Sequence, residues 1–209
     1  MHRRDLIKTM AAGTTALGTL STLSTAQAAH MPKQRAGRPI EQESVQFWSE
    51  TSLNRVFPNS EAGSAETLEL TSARNARLSF QICFRNLRDC CIRVRASLEA
   101  PTGWTTKTRR VGFVLMDQHS TDVPPDEMDG RGFIPGLVPD PLFPEETANV
   151  GFEANGVFWI TLQIPADAAV GKLKFTATLT VEDEFRFPMW MGKAPFKIDL
   201  PISVDVKST

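Results

Sequence analysis

Leu173-Lys174-Phe175-Thr176-Ala177-Thr178-Leu179-Thr180-Val181 sets an apolar residue at every second position, with lysine or threonine between. Side chains leave a strand alternately to its two faces, so this stretch is a half-buried strand with one wet side. The same period of two runs through residues 78–84. There Leu78, Phe80, Ile82 and Phe84 share a face, and Ser79, Gln81 and Cys83 take the other. It recurs in 90–98, where Ile92, Val94, Ala96 and Leu98 alternate with Cys91, Arg93, Arg95 and Ser97. In 157–164, Phe158, Ile160, Leu162 and Ile164 oppose Trp159, Thr161 and Gln163. Residues 67–70, 111–116, 185–191 and 196–206 are further strand candidates. No window long enough for a helix carries a 3.6-residue period. Strands with one apolar face each must pair sheet on sheet. The expected fold is therefore all-β, an immunoglobulin-like antiparallel β-sandwich with one long Pro-rich loop. That loop is 117–156, and it contains Pro124, Pro125, Pro135, Pro139, Pro141 and Pro144. Prolines lower the entropy of the unfolded chain, which suits an ordered excursion from the sheets.

The chain of 209 residues is the length of one domain, or of one domain with an appendage. Its 23 Lys+Arg and 24 Asp+Glu leave a net charge of -1, which argues against a partner made of phosphates. No run approaches the ~18 apolar residues of a membrane span. Three cysteines are too few for a disulfide-built scaffold. The N-terminus, Met1-His2-Arg3-Arg4-Asp5-Leu6-Ile7-Lys8, has the paired arginines of a twin-arginine export signal. A weakly apolar run over 10–23 and the small-x-small site Ala26-Gln27-Ala28 complete the pattern. The alternative, an amphipathic first helix, is disfavoured by Gly13, Gly18 and the many threonines. The expected organisation is a signal peptide over 1–28, a flexible leader over 29–44 and a sandwich over 45–209. The mature protein is then periplasmic or extracellular.

Several residue groups invite a chemical role. Asp122, Asp126, Glu127, Asp129, Asp140, Glu145 and Glu146 crowd the long loop. They read as solvated charge, as a loose calcium loop, or as glycosidase carboxylates. Calcium wants oxygens at alternate positions, and Met128 interrupts them. Glycosidase chemistry wants two carboxylates at a fixed separation, which nothing in the sequence imposes. Asp140, between two prolines, suits a turn that bonds its own backbone. His119 beside Asp117 is a His–carboxylate neighbour pair without a placed nucleophile. Cys83 and Cys91 would oppose each other if their strands formed a hairpin, and could then bond after export. Three free thiols and a Cys90–Cys91 bridge are the other readings. Trp190, with Arg186 on the same side of 184–191, could stack on a sugar ring or pack against another domain. It is instead buried if Pro188 shifts the register. No cofactor and no metal site are expected.

Arg110-Val111-Gly112-Phe113 leads to Pro139-Asp140-Pro141-Leu142-Phe143-Pro144, then to Asn155-Gly156-Val157-Phe158-Trp159-Ile160 and Ile164-Pro165. Upstream stand Trp48-Ser49-Glu50-Thr51-Ser52-Leu53-Asn54-Arg55-Val56-Phe57-Pro58, Ala73-Arg74-Asn75 and Ser79-Phe80-Gln81. In this order and spacing, across 46–206, the chain resembles the N-terminal β-sandwich of proteins similar to glycoside hydrolase family 123. The resemblance implies a sandwich followed by a (β/α)8 barrel. In that family the barrel holds an Asp–Glu pair and removes N-acetylgalactosamine with help from the substrate's acetamido group. No βαβα run is present in 1–209, so no catalytic residue carries over. The chain departs from the family pattern in having Lys172-Leu173-Lys174 where a tyrosine is usual, and in Cys90-Cys91.

These observations set four expectations in competition. The first is an exported, non-catalytic accessory or interaction domain related to glycoside hydrolases, with a glycan, a partner domain or a partner protein as its ligand. The second is a carbohydrate-binding module that uses Trp190. The third is the front of a glycosidase acting on N-acetylgalactosaminides. The last is an unrelated enzyme whose pocket gathers Asp117, His119 and Asp140.

Overall fold

A computed structural model describes residues 37–119, 122–124, 128, 130–185 and 195–208. Among these residues the chain forms strands and no helix. The strands are β1 (Ile40–Gln42), β2 (Val45–Thr51), β3 (Leu68–Ala73), β4 (Arg77–Asn86), β5 (Cys91–Glu99), β6 (Thr105–Met116), β7 (Gly136–Phe143), β8 (Thr147–Val150), β9 (Asn155–Gln163), β10 (Gly171–Phe185) and β11 (Phe196–Lys207). One sheet runs β1-β2-β4-β9-β6-β7, the other β3-β11-β10-β5-β8. Adjacent strands are antiparallel except β3 and β11, which are parallel. The two sheets form the all-β sandwich that the period of two predicts.

The core lies between the sheets. Phe47, Phe80, Ile82, Phe84, Phe158 and Ile160 of the first sheet meet Ile92, Val94, Leu179, Leu200, Ile202 and Val204 of the second. These are the apolar halves of the alternating stretches. Burying them supplies most of the drive to fold, at about 25 cal/mol per Å² of apolar surface. Gly156 lies under the Phe84 ring, where any Cβ would collide with ring atoms. Pro201 stands in β11 just before β3 begins to pair at Ile202, so on that side its missing N–H breaks no ladder bond.

The structure differs from the sequence expectation in several places. β2 is a strand where none is expected, and β3 pairs parallel to β11 in a sandwich expected to be antiparallel. Residues 40–42, placed in the leader, form β1. Its turn to β2 holds Glu43 and Ser44 at φ of 53° and 57°. A two-residue turn of this hand is normally signalled by Asn-Gly or Asp-Gly, and neither is present. The long loop contains β7 and β8, so part of it is sheet. Pro139 and Pro141 made 136–143 read as loop. An edge strand tolerates them, and β7 pairs only with β6. The 78–84 stretch has no wet side at its centre, because Gln81 and Cys83 are buried as deeply as Phe80 and Ile82. Finally, β4 and β5 are not a hairpin. The chain crosses from one sheet to the other between them, so Cys83 faces Trp48 and Val157 in the first sheet while Cys91 pairs with Phe185 in the second. The opposed Cys83–Cys91 pair therefore does not form, and Cys83, Cys90 and Cys91 are free.

Candidate functional site

The buried back of β4 shows where the first sheet differs from a plain sandwich half. Its outer face carries a second, smaller cluster of Trp48, Val56, Cys83, Val111 and Val157, with Ala62 and Trp159 packed against it. The cover is the β2–β3 connection, which folds back over the sheet. Gln81 Nε2 donates to the carbonyls of Thr51 and Asn54, each at 2.7 Å, and fixes the start of the connection. Asn155 Nδ2 donates to the carbonyls of Phe57 and Ser60, each at 2.8 Å, and fixes its middle. Gly63 lies against the Trp48 indole, where a Cβ would be too close. Two buried amides thus replace the sheet bonds that an irregular segment cannot make. Glu50 is buried under the same cover, and one of its carboxylate oxygens accepts from the Thr51 N–H at 3.2 Å.

The connection meets the chain returning into β7. The Phe57 and Phe133 rings stack with centroids 4.2 Å apart and planes 4° from parallel. Beside this stack lies a shallow recess of about 270 Å³, lined by Pro58, Asn59, Gly132, Phe133, Pro135, Gly136 and Leu137. β6 and β7 continue past the body of the sheet as a two-stranded ribbon, since β9 pairs with β6 only as far as Arg110. Leu115 and Leu137 are directly opposed on this ribbon and are 70% and 48% exposed. At the root of the ribbon the Arg110 guanidinium lies 4.5 Å over the Phe143 ring, and Arg110 Nε donates to Glu145 at 2.7 Å. Bare Gly112 leaves room for that ring.

The residues expected to act together are only partly described, and those that are do not converge. Asp117 is exposed just past the end of β6, and His119 is half-buried two residues on. Asp140 is exposed in β7, beside Pro139, which opposes Phe113. At ~3.3 Å per residue, Asp117 and Asp140 are about 15 Å apart along the ribbon. A glycosidase carboxylate pair spans roughly 5–9.5 Å. Arg186, Trp190, Asp126, Glu127 and Asp129 lie outside the described residues, as do Arg3, Arg4 and Ala28 of the export signal. The exposed Leu115–Leu137 pair is not legible in the sequence, because Pro139 and Pro141 mask β7 and a bulge opposite Val111–Phe113 breaks its alternation, leaving Leu137 and Phe143 on opposite faces. Trp159 is likewise not among the residues expected to act. Trp159 is half-buried on the outer face, with Gln81 and Arg109 as its cross-strand neighbours and the Ser79–Thr161 hydroxyl pair nearby.

The thiols are placed for packing. Burial pushes the Cys83 thiol well above its ordinary range, and the Glu50 carboxylate adds to the effect. Burial and then the neighbouring Cys90 raise Cys91, more than Arg93 and a backbone bond from Val150 lower it. Both hold less thiolate at neutral pH than a free cysteine does. In native protein, iodoacetamide is expected to label Cys91 slowly, faster as pH rises through the alkaline range, and to leave Cys83 unlabelled until the chain unfolds. Peptide mass spectrometry reads this directly, and native labelling of Cys83 would contradict it. The sign for stability follows. The native Cys83 pKa lies above the unfolded one, so its contribution is complete below the unfolded value and is lost as pH rises through the native value.

No protein family and no curated protein matches the chain by sequence. The fold is similar to that of a family 123 glycoside hydrolase from Clostridium perfringens, solved to show the details of glycolipid glycan hydrolysis. The TM-score is 0.52 at 10% identity, covering 79% of this chain and 28% of that one. The chain thus spans about 28% of the length of that enzyme. A PapD-like domain of human CEP192 aligns at a TM-score of 0.38 and 8% identity, covering 86% of this chain and 99% of the domain. At 10% identity the first of these is a likeness of fold alone.

Proposed function

We propose that this chain is an exported, non-catalytic β-sandwich of the kind that accompanies glycoside hydrolases, and that it works by binding. The observation that carries the proposal is the fold. Its likeness takes in 79% of this chain but only 28% of a family 123 enzyme, so most of that enzyme has no counterpart in 1–209. The roughly 15 Å between Asp117 and Asp140 supports it from the other side, since neither can serve the other as acid and base. Export rests on Arg3, Arg4 and the Ala28 cleavage site.

The purified chain is expected to leave chromogenic N-acetylgalactosaminides intact, and turnover above the buffer rate would overturn the proposal. Replacing Arg3 and Arg4 with lysine should strand an uncleaved precursor in the cytoplasm, read as a loss of envelope signal on an immunoblot. The intact mass of the native gene product decides between a free-standing module and the front of a longer glycosidase. A species of ~20 kDa, the size of one domain, supports the module. A species two to three times heavier moves the chemistry to residues past Thr209.

Trp159 favours a second reading, carbohydrate binding. A half-buried indole on a sheet face, next to Arg109 and two hydroxyls, is the pairing of apolar surface and hydrogen bonds that a sugar ring uses. Glycan-array binding lost in Trp159→Ala or Trp190→Ala would establish this reading. An array without signal returns the chain to protein partners.

A further inference from the structure

The outer face of the first sheet is covered over only part of its length. The β2–β3 connection lies over Trp48, Cys83 and Val157. Toward the first residues of β4 and β6 the outward side chains are Arg77 and Ser79 of β4, Trp159 and Thr161 of β9, and Lys107 and Arg109 of β6. Directly opposed residues share a face, and the register opposes Arg109 to Trp159, Lys107 to Thr161 and Thr161 to Ser79. We infer that this patch binds an acidic glycan, a chain of sugars that carry carboxylates. Trp159 lies under a sugar ring, and Arg109 and Lys107 take its carboxylates. The inference rests on the carbohydrate reading of Trp159 and names the class of sugar.

Charge selects the occupant. The one acid in register with these residues, Glu50 opposite Gln81, is buried beneath the connection. On the outer face of the second sheet cations are matched: Arg95 by Glu182, Lys172 by Glu69 at 2.6 Å and Lys207 by Asp205 at 2.6 Å. On the first sheet no carboxylate among the described residues pairs with Lys107 or Arg109. Arg77 Nε donates to the Gln163 amide at 3.0 Å. Three cations on a patch of about 10 by 13 Å repel one another, and a bound anion relieves that repulsion. The rest of the patch suits a sugar better than another polyanion. The Trp159 indole is a flat apolar surface about 5 Å from Arg109 across the strands. The Ser79 and Thr161 hydroxyls, 3.1 Å apart, lie one row away. A phosphate backbone wants a wider basic surface, and the whole chain carries -1. Dense sulfation meets the same objection. Carboxylates set one to a ring suit two cations about 7 Å apart along β6, and a guanidinium takes a carboxylate through two parallel bonds. The patch also opens sideways. β7 pairs with β6 only from Arg110 onward, so a long glycan can cross the face and leave over the β6 edge at 105–109.

Calorimetric titration of the purified chain with two uronate chains, oligogalacturonate and oligomannuronate, tests the inference. The methyl ester of oligogalacturonate keeps the sugar rings and loses the charge. At least one of the acids should bind, and oligogalacturonate should bind roughly tenfold more tightly than its ester, by a margin that shrinks as salt is raised. Arg109→Gln should weaken binding of the acid about tenfold and leave that of the ester unchanged. Lys107→Gln should act in the same direction to a smaller extent. Circular dichroism melts of both variants should match wild type, because neither side chain belongs to a core cluster. Lys174→Gln removes an exposed cation from the outer face of the second sheet and should change nothing. Equal binding of acid and ester would overturn the inference and leave the carbohydrate reading standing. Failure of both acids to bind would overturn it too, and the glycan array then decides whether the carbohydrate reading falls with it. Tighter binding of heparin or polyglutamate would overturn it, because affinity would then follow charge density. Wild-type affinity in the Arg109→Gln/Lys107→Gln double variant would overturn it by placing the site elsewhere.

Discussion

Replacing Trp48 with alanine is expected to lower the free energy of unfolding by about 3–5 kcal/mol, the range for a large side chain removed from a packed interior. Trp48 is 1% exposed and is the largest fully buried side chain among the described residues. It does not lie between the two sheets. It fills the second cluster, under the β2–β3 connection and against Gly63. The loss should therefore come with release of that connection, seen as faster proteolysis within 52–66 at denaturant concentrations where the sandwich stays folded. A loss below ~1 kcal/mol in urea titration would mean that the connection is not packed on the sheet and that the second cluster contributes little.

Asn86 is the other position where one substitution should matter most. It is fully buried where the chain crosses between the sheets. Its Nδ2 donates to the carbonyls of Cys90 at 2.7 Å, Val150 at 3.1 Å and Gly151 at 3.1 Å, and its Oδ1 accepts from the Arg88 N–H at 3.0 Å. One amide thereby ties the β4–β5 crossing to the β8–β9 turn. Asn86→Leu keeps the volume and loses every bond, at about 1–3 kcal/mol for each buried group left unpaired. Asn86→Asp separates packing from hydrogen bonding. It keeps the acceptor toward Arg88 but turns a carboxylate toward three carbonyls. Burial against three carbonyls, with the Arg88 N–H as the one retained donor, raises the native pKa of that carboxyl above its unfolded value of ~3.9. The variant should then be closest to wild type in acid, below the unfolded value, and should lose stability as pH rises through the native value. Urea midpoints of both proteins in acid and at neutral pH check this. Equal midpoints at neutral pH would show that the three Nδ2 bonds are absent.

The residues these predictions rest on were legible to different degrees. A period of two is a property of consecutive residues, so β4, β5, β9, β10 and β11 and the sandwich they build could be read directly. Features set by residues distant in sequence could not. The back of β4 looks polar, because Ser79 and Gln81 are polar, until the β2–β3 connection is folded over it. Gln81 is buried because it holds that connection, and its bonds to Thr51 and Asn54 span a gap that no local pattern reveals. Asn86 and Asn155 are the same case, polar residues whose partners are carbonyls of turns. The β7 strand was hidden for the opposite reason. Its local signal, two prolines, is strongly against a strand, and only its place at the sheet edge makes them tolerable. The expected Cys83–Cys91 pair assumed that consecutive strands are neighbours, and in this fold the chain changes sheets between them. Of the loop residues expected to act together, Asp117 and His119 follow the end of β6 and Asp140 lies in β7, whereas the Leu115–Leu137 pair carries no chemistry that a local pattern reveals.

The parallel pairing of β3 with β11 sets a condition on when the molecule can be finished. β11 lies between β3 and β10, so the second sheet has no middle until residues 196–207 have been synthesised. A ribosome that has made everything through β10 holds a chain whose β3 has no strand to pair with in its sheet. Contacts that wait for such distant segments slow folding, to the millisecond-to-second range typical of sandwiches. The last strand of the chain is thus a checkpoint on completion: a chain cut short by β11 alone should fail to fold, whatever else of the sandwich it has made.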